Sequence, residues 1–414
     1  MTGRALGSVA ARLGMLGCTA AMVLLNARLL GAEGTGGVAV LQLGLLVTAS
    51  VGGLLAGGAV VYLGRTVALR SLLGPAHGWM VLCAAAAGLG LPLLGVLPAS
   101  TAWTVAGLGW LQAVANFHGQ VAVARDRVRL FNRLQLLQVA LTPLFATALY
   151  LGAGWRTPSA FAAALAAALV ATVLASLAAL RDLPRPGEAT PAAAAPAATR
   201  LLARHGLPSS LGATLQLAAN RIHVALLGAG SAAGIFAVAW AGVEAVWSVA
   251  RGVAPLVHIG TASTPDADQR RAATRFHLLF AGTGTLLLTA LASSLPDAVY
   301  ASIFGFSGIA PVLRAAAGAA CAGGWAPVLS HHLSGLGLHR YNAWTSAAGL
   351  AVGAACAVWW IPTSGAVGAG AAASVGALVQ LSGLLWAYRS AEGPDALRFR
   401  RSDLRTVSRA TGNR

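Results

Sequence analysis

The sequence predicts an all-α polytopic membrane protein of about twelve transmembrane helices, arranged as two six-helix lobes in a parallel repeat around a central cavity. Three observations predict it. Hydrophobic residues make up 57% of the 414 positions and charged residues only 9%, where a soluble domain is about one quarter charged. Apolar runs long enough to cross a bilayer, roughly 20 residues each, recur along the whole chain. The arginines gather in alternate gaps between those runs, which is the positive-inside pattern of a chain that crosses repeatedly.

The runs fall at about 8–30, 36–63, 77–98, 101–124, 130–153 and 157–180, then at 203–228, 234–262, 275–298, 308–333, 340–361 and 365–388. Arg65 and Arg70, the group from Arg125 to Arg133, Arg181 to Arg204, Arg270 to Arg275, Arg340 and the tail beyond Arg389 occupy alternate gaps. The intervening gaps hold little charge, and Trp103, Trp155, Trp359 and Trp360 lie near that face as an interfacial aromatic belt. Both termini are therefore expected in the cytoplasm. Residues 182–200 form a Pro- and Ala-rich cytoplasmic linker between an N-lobe, 1–181, and a C-lobe, 201–390, and residues 391–414 form a basic tail drawn to anionic headgroups. The lobes look related. Leu29-Leu30-Gly31-Ala32 recurs 197 residues later as Leu226-Leu227-Gly228-Ala229, and Arg129-Leu130-Phe131-Asn132 is echoed by His339-Arg340-Tyr341-Asn342.

The formal net charge of +17 comes from arginine alone. Its placement in short gaps marks topology and not a nucleic-acid footprint. Cys18, Cys83, Cys321 and Cys356 each lie in a different apolar run without metal or redox spacing, so they read as buried thiols. The N-terminal run continues into Asn26-Ala27-Arg28 without a convincing cleavage site and reads as a retained first helix.

Polar residues inside spans are costly, and they mark the candidate site. One run carries Gln216, Asn220, Arg221 and His223; the next carries Glu244, Arg251 and His258 at seven-residue intervals, a nearly straight stripe on one helix face. Gln112, Asn116 and Gln120 share an i, i+4, i+8 line that suits interhelical hydrogen bonds or sugar hydroxyls. Arg28 and Arg314 lie near outer helix ends, where snorkelling accounts for them. His331 and His332 lack a third ligand at metal spacing and are expected at the interface.

Several segments, spread in order over the chain, resemble the oligosaccharide and polysaccharide flippases of the multidrug/oligosaccharidyl-lipid/polysaccharide (MOP) exporter superfamily. They are Ala27-Arg28-Leu29-Leu30-Gly31-Ala32-Glu33-Gly34, the run from Ala233 to Ala239, and Ile361-Pro362-Thr363-Ser364-Gly365 continuing to Ala373. The resemblance implies a plasma (inner) membrane flippase with cytoplasmic termini, turning a polyprenyl-diphosphate-linked oligosaccharide outward for cell-surface polysaccharide assembly, such as lipopolysaccharide O-antigen. It implies no enzyme activity, no cofactor and no metal, with the bilayer, the lipid-linked glycan and H+ or Na+ as partners and no nucleic acid. On that substrate Arg251, then Arg221, are the guanidinium candidates for the diphosphate, because a planar fork matches phosphate oxygens and stays charged. Arg28, Glu244, Asn220, Gln216, His258, Gln112 and Asn116 complete the cavity candidates. A drug or metabolite exporter of the same superfamily, or a major-facilitator-type secondary transporter, is the alternative; against the latter, Tyr62-Leu63-Gly64-Arg65-Thr66-Val67 has no aspartate. No phosphate-cradling Gly-Lys-Ser/Thr loop, HExxH helix or GxSxG elbow is present.

Reporter fusions at Glu188 and Arg414 should both read cytoplasmic. A linker found on the outer side would remove the six-plus-six reading, because an even number of crossings must precede it.

Overall fold

Glycine decides where the longest apolar runs fold back. Helix α1 is hydrogen-bonded from Thr2 to Leu63, yet Gly31 adopts φ 68° and ψ −172° inside it. A side chain there would meet the steric penalty of the left-handed region, so glycine holds the break that turns one long rod into two arms. Helix α12 (His339–Glu392) repeats the device at Gly365, with φ 53° and ψ −129°. The computed structural model describes residues 2–63, 67, 69–93, 97, 99–181 and 195–399. Arg65, residues 182–194 of the linker and the tail from 400 lie outside the described residues.

Between these two helices run α2 (Leu69–Leu93), α3 (Ala99–Ala124), α4 (Val128–Thr147), a π-helical turn (Ala148–Gly152), α5 (Pro158–Arg181), α6 (Ala195–Leu227), α7 (Ser231–Ser263), α8 (Ala267–Ser294), α9 (Asp297–Phe304), α10 (Ile309–Ala315) and α11 (Ala317–Gly335). A short 3-10 turn, Pro394–Leu397, follows α12. The fold is all-α among the described residues, as expected. Seven described helices are long and apolar enough to cross a membrane, or eight counting α10 and α11 as one span bent by 50°. α1 and α12 each have length for two crossings. α3 and α6 reach spanning length as well, at 26 and 33 residues. Together these make up the expected set of about twelve helices.

Gly31 and Gly228, 197 positions apart, both have positive φ, at 68° and 71°, and so do Gly154 and Gly365, at 67° and 53°. Large apolar side chains point outward along the helices, with Leu93 86%, Trp359 79%, Trp344 74% and Leu82 65% exposed. In water that would be costly; facing lipid tails it is the stable arrangement.

The chain forms two compact units. The first comprises residues 1–214 with 228–234, the second 215–227 with 235–414. In the first, Ala59, Val60, Leu72, Met80, Phe117 and Leu202 pack as one buried core, and Tyr150, Phe161, Ala164 and Leu169 as another. The first half of α6 is part of this unit: Ala198 and Leu202 are buried in its core, and a Cβ at Gly206 would lie 2.5 Å from the Leu54 carbonyl oxygen. In the second unit, Leu329, Leu333, Leu384 and Tyr388 centre the core. The two arms of α12 cross backbone to backbone there. A Cβ at Gly349 would sit 2.8 Å from the Gly376 oxygen, and one at Gly376 would sit 2.7 Å from the Gly349 oxygen.

Outside the spans, Asp297 organises the α9–α10 turn. Its carboxylate accepts from the N–H groups of Gly308 at 2.7 Å and Ala310 at 2.9 Å, and those donors hold its pKa below the ordinary aspartate value. Arg314 does not simply extend to the interface: Nε and Nη2 donate to the Ser293 and Leu295 carbonyls at 3.0 and 3.3 Å, satisfying the end of α8.

Two tryptophans share one packing rule. Trp247 Nε1 donates to the Ala319 carbonyl at 3.1 Å while its indole lies where a Cβ of Gly323 would be, and Trp325 donates to Leu278 at 3.1 Å over Gly282. Gly323→Ala should therefore lower the melting temperature of the detergent-solubilised protein by several degrees. Displacing the indole costs about 1–3 kcal/mol, more than the ~1 kcal/mol gained from alanine's helix propensity. Gly78→Ala, in open space on α2, should leave it unchanged or raise it.

Candidate functional site

Within the second unit, the end of α6 and the first half of α7 bring opposite charges together. Arg221 Nη2 donates to Glu244 Oε1 at 2.8 Å, and Trp240 Nε1 donates to the same oxygen at 3.2 Å. Trp240 is one helical turn before Glu244, so a single face of α7 supplies both the carboxylate and an indole donor to hold it. Phe236, one turn earlier, stacks on Trp240 at 5.5 Å, and Trp247 meets Trp240 edge-on at 5.3 Å. The ion pair is thus walled by aromatic rings. Arg221 Nε is buried without a hydrogen-bond partner.

Two residues further along α6, His223 is 1% exposed, its ring lying 5.8 Å from Phe236 and 6.5 Å from Trp240. Neither ring nitrogen has a protein partner. A buried imidazole leaves its polar atoms unpaired only at a cost of about 1–3 kcal/mol. It lines a narrow pocket with Gln216, Asn220, Trp240, Gly349, Gly376 and Gln380. The glycines at the α12 crossing remove side chains from the pocket wall, and amides fill the rest. Gln216 Nε2 donates to Asn220 Oδ1 at 3.1 Å, Gln380 donates to Gln216 Oε1, and Gln380 also donates to Ser346 Oγ at 3.1 Å. This joins α6 to both arms of α12.

The stripe on α7 does not form one site. Glu244 pairs with Arg221, Arg251 lies over the Trp247 ring at 5.4 Å, and His258 Nδ1 is 3.3 Å from the His331 carbonyl on α11. The reason is axial. Seven residues advance a helix by about 10 Å, so side chains on one face are still too far apart to converge. Arg28 is exposed on α1, three residues before the Gly31 break. In the first unit, Gln112 meets Asn116 at 3.0 Å and exchanges bonds with Gln138 of α4 at 2.6 and 3.3 Å. The line therefore serves interhelical bonding, with Asn116 remaining exposed.

His331 is half-buried and His332 fully buried. His332 is 0% exposed and packed in a polar cluster with Glu392, and His331 Nδ1 bonds the Pro327 carbonyl at 2.9 Å. The first unit holds an unexpected pair: Tyr150 OH donates to Asn26 Oδ1 at 2.9 Å, both buried, from the π-helical turn that aims the phenol at α1. Gln380, alone between apolar neighbours in the last span, was the readable signal for the amide bridge; nothing in the sequence separates His223 from an ordinary core histidine.

Breaking one half of a half-buried ion pair leaves an unpaired charge, whereas removing both halves does not. Arg221→Met or Glu244→Leu alone should lower the melting temperature more than the double variant does. A double variant that melts at the sum of the two single losses would show that the pair contributes nothing as a pair.

No family model matches the chain, and no curated protein does. Solved structures do. The chain is similar to the inward-facing conformation of a multidrug resistance MATE family transporter of the MOP superfamily, with TM-score 0.72, 15% identity, and coverage of 94% of this chain and 98% of that one. It is similar to the lipid II flippase MurJ in an inward closed conformation, with TM-score 0.68, 11% identity, and coverage of 98% and 95%. An outward-facing MATE family structure matches with TM-score 0.66, 16% identity, and coverage of 93% and 94%. At these identities the likeness establishes the fold: the chain has the helical architecture of MOP superfamily transporters.

Proposed function

We propose that the protein is a secondary transporter whose two units are the lobes of an alternating-access machine. Its cargo is a polyprenyl-diphosphate-linked oligosaccharide, turned toward the outer face of the plasma membrane for cell-surface polysaccharide assembly, with both termini in the cytoplasm. The observation that carries this reading is the Arg221–Glu244 pair beside the His223 pocket. An ion pair, a spare guanidinium N–H and an unpartnered imidazole in membrane-spanning helices have a cost that a passive scaffold has no reason to bear. A lipid flippase among proteins of this fold makes a lipid-linked cargo chemically reasonable. In this reading Arg251, whose guanidinium lies over the Trp247 ring at 5.4 Å, takes the diphosphate through its planar fork. Asn220 and Gln216 offer amides to sugar hydroxyls.

The second reading, a drug exporter of the same fold, is favoured by the aromatic wall of Phe236, Trp240 and Trp247 around the carboxylate of Glu244, a surface that suits an apolar cation. The two readings part at Arg251. In liposomes carrying a fluorescent lipid-linked oligosaccharide, Arg251→Ala should abolish flipping and Arg251→Lys should restore part of it, since an ammonium keeps the charge but loses the bidentate fork. Full flipping in the alanine variant would overturn the assignment. Absence of flipping in the wild type alongside efflux of a cationic dye would replace the glycan reading by the exporter.

A further inference from the structure

His332 sits at the far end of the second unit from the Glu244 carboxylate on α7, sharing no residue with that site, and its surroundings are built around both ring nitrogens. Nε2 lies 3.0 Å from Glu392 Oε1. Nδ1 lies 2.8 Å from the Thr274 hydroxyl of α8 and 3.2 Å from the Thr261 hydroxyl of α7. Tyr388 closes the pocket edge-on, 4.9 Å from the ring. The carboxylate accepts, so the Nε2 proton is committed to Glu392. The open question is Nδ1, and the two hydroxyls answer it in opposite senses. Thr274 Oγ1 is 3.0 Å from the Arg270 carbonyl and gives its own proton there, so its oxygen accepts from a protonated Nδ1. Thr261 Oγ1 makes its contact with His332 and can donate to a bare Nδ1.

We propose that His332 is a reversible proton-binding site whose titrating atom is Nδ1. Loaded, the ring is an imidazolium: Nδ1–H donates to Thr274 and Nε2–H to Glu392. Unloaded, the proton leaves from Nδ1, Thr261 turns its hydroxyl to donate to that nitrogen, and Nε2–H keeps its bond to Glu392. Each ring nitrogen keeps a hydrogen-bond partner in both states, because Thr274 can accept from Nδ1–H and Thr261 can donate to the bare nitrogen.

The charges around the ring come from two elements. From α8, Arg270 contacts Glu392 Oε1 at 3.0 Å, Arg271 shares itself between Asp268 at 2.8 Å and the Glu392 carbonyl at 2.7 Å, and Arg275 donates to the Ala396 carbonyl at 3.3 Å. From α12 come Glu392 and Tyr388; α7 supplies Thr261, and the neighbour on α11 is His331, whose ring faces His258. Arg270 and Arg271 already balance Glu392 and Asp268, so the Glu392 charge is engaged before a proton is added and holds that proton loosely enough for it to leave. This site is independent of which cargo the protein carries.

The test is a pH series of long-range 15N–1H spectra on the full-length protein in nanodiscs, with histidine labelled in the ring. His332→Gln identifies the signal by its loss. In the wild type, its Nδ1 should move between the bare and the N–H state with pH while Nε2 remains N–H throughout. Thr261→Val removes the donor to the unloaded ring and should raise the midpoint by about one pH unit, a tenfold gain in proton affinity; Thr274→Val removes the acceptor for the loaded ring and should lower it by about as much. These opposite shifts identify the signal even if the glutamine variant does not fold. A ring that stays in one state at every pH the fold survives, an Nε2 that titrates instead, or threonine variants that shift the midpoint the same way would each overturn the proposal.

Discussion

The pairing of Arg221 with Glu244 places two charges among apolar helices, and much of the second unit is arranged so that this is tolerable. Trp240 adds a second donor to the carboxylate and, with Phe236 and Trp247, walls part of it with aromatic rings. Those rings need room, and glycine provides it: Trp247 can lie across α11 only because Gly323 has no side chain. The richness in glycine and alanine that looks like monotony in the sequence is the counterpart of a few bulky aromatics and buried polar groups.

Polar groups in this unit come in separate clusters along the helices. One holds Gln216, Asn220, Ser346 and Gln380; beside it lies the ion pair; at another end lie His332, Thr261, Thr274 and Glu392. Leu329, Leu333, Leu384 and Ala250 belong to the apolar core of the same unit. Where no water competes, each cluster must close its own hydrogen bonds, so each ties several helices together. The unpaired atoms of His223 and Arg221 depart from that rule, as does Asn342 Oδ1 in the same unit.

The fold was legible because lipid imposes a strong constraint on sequence. Apolar runs, arginine-bearing gaps and the glycine-marked repeat at Gly31 and Gly228 all report the same helices. The candidate site was legible in part. Charged residues in apolar runs pointed to Arg221 and Glu244, which the structure pairs, because such residues are rare and need partners. Helical spacing then misled: the interval from Glu244 to Arg251 to His258 puts all three on one face, but their contacts lie on different neighbours at different depths. Glu392 could not be read at all. It stands where the last span gives way to the basic tail and looks solvent-exposed, and only the tertiary packing of Arg270 and His332 around it shows it to be buried.

The crossing of the two arms of α12 has a mechanical consequence. Where Gly349 and Gly376 meet, backbone touches backbone with no side chains between them to tilt, slide or change rotamer. Joints between helices normally take up small movements through such side-chain adjustments, and this one has no such slack. The two arms therefore behave as a single stiff lever. Ser346 on one arm is bonded to Gln380 on the other, and Gln380 in turn to Gln216 on α6, so a displacement of either arm is passed on to α6. Even a methyl group at the crossing would pry the arms apart and change that transmission without touching any polar residue.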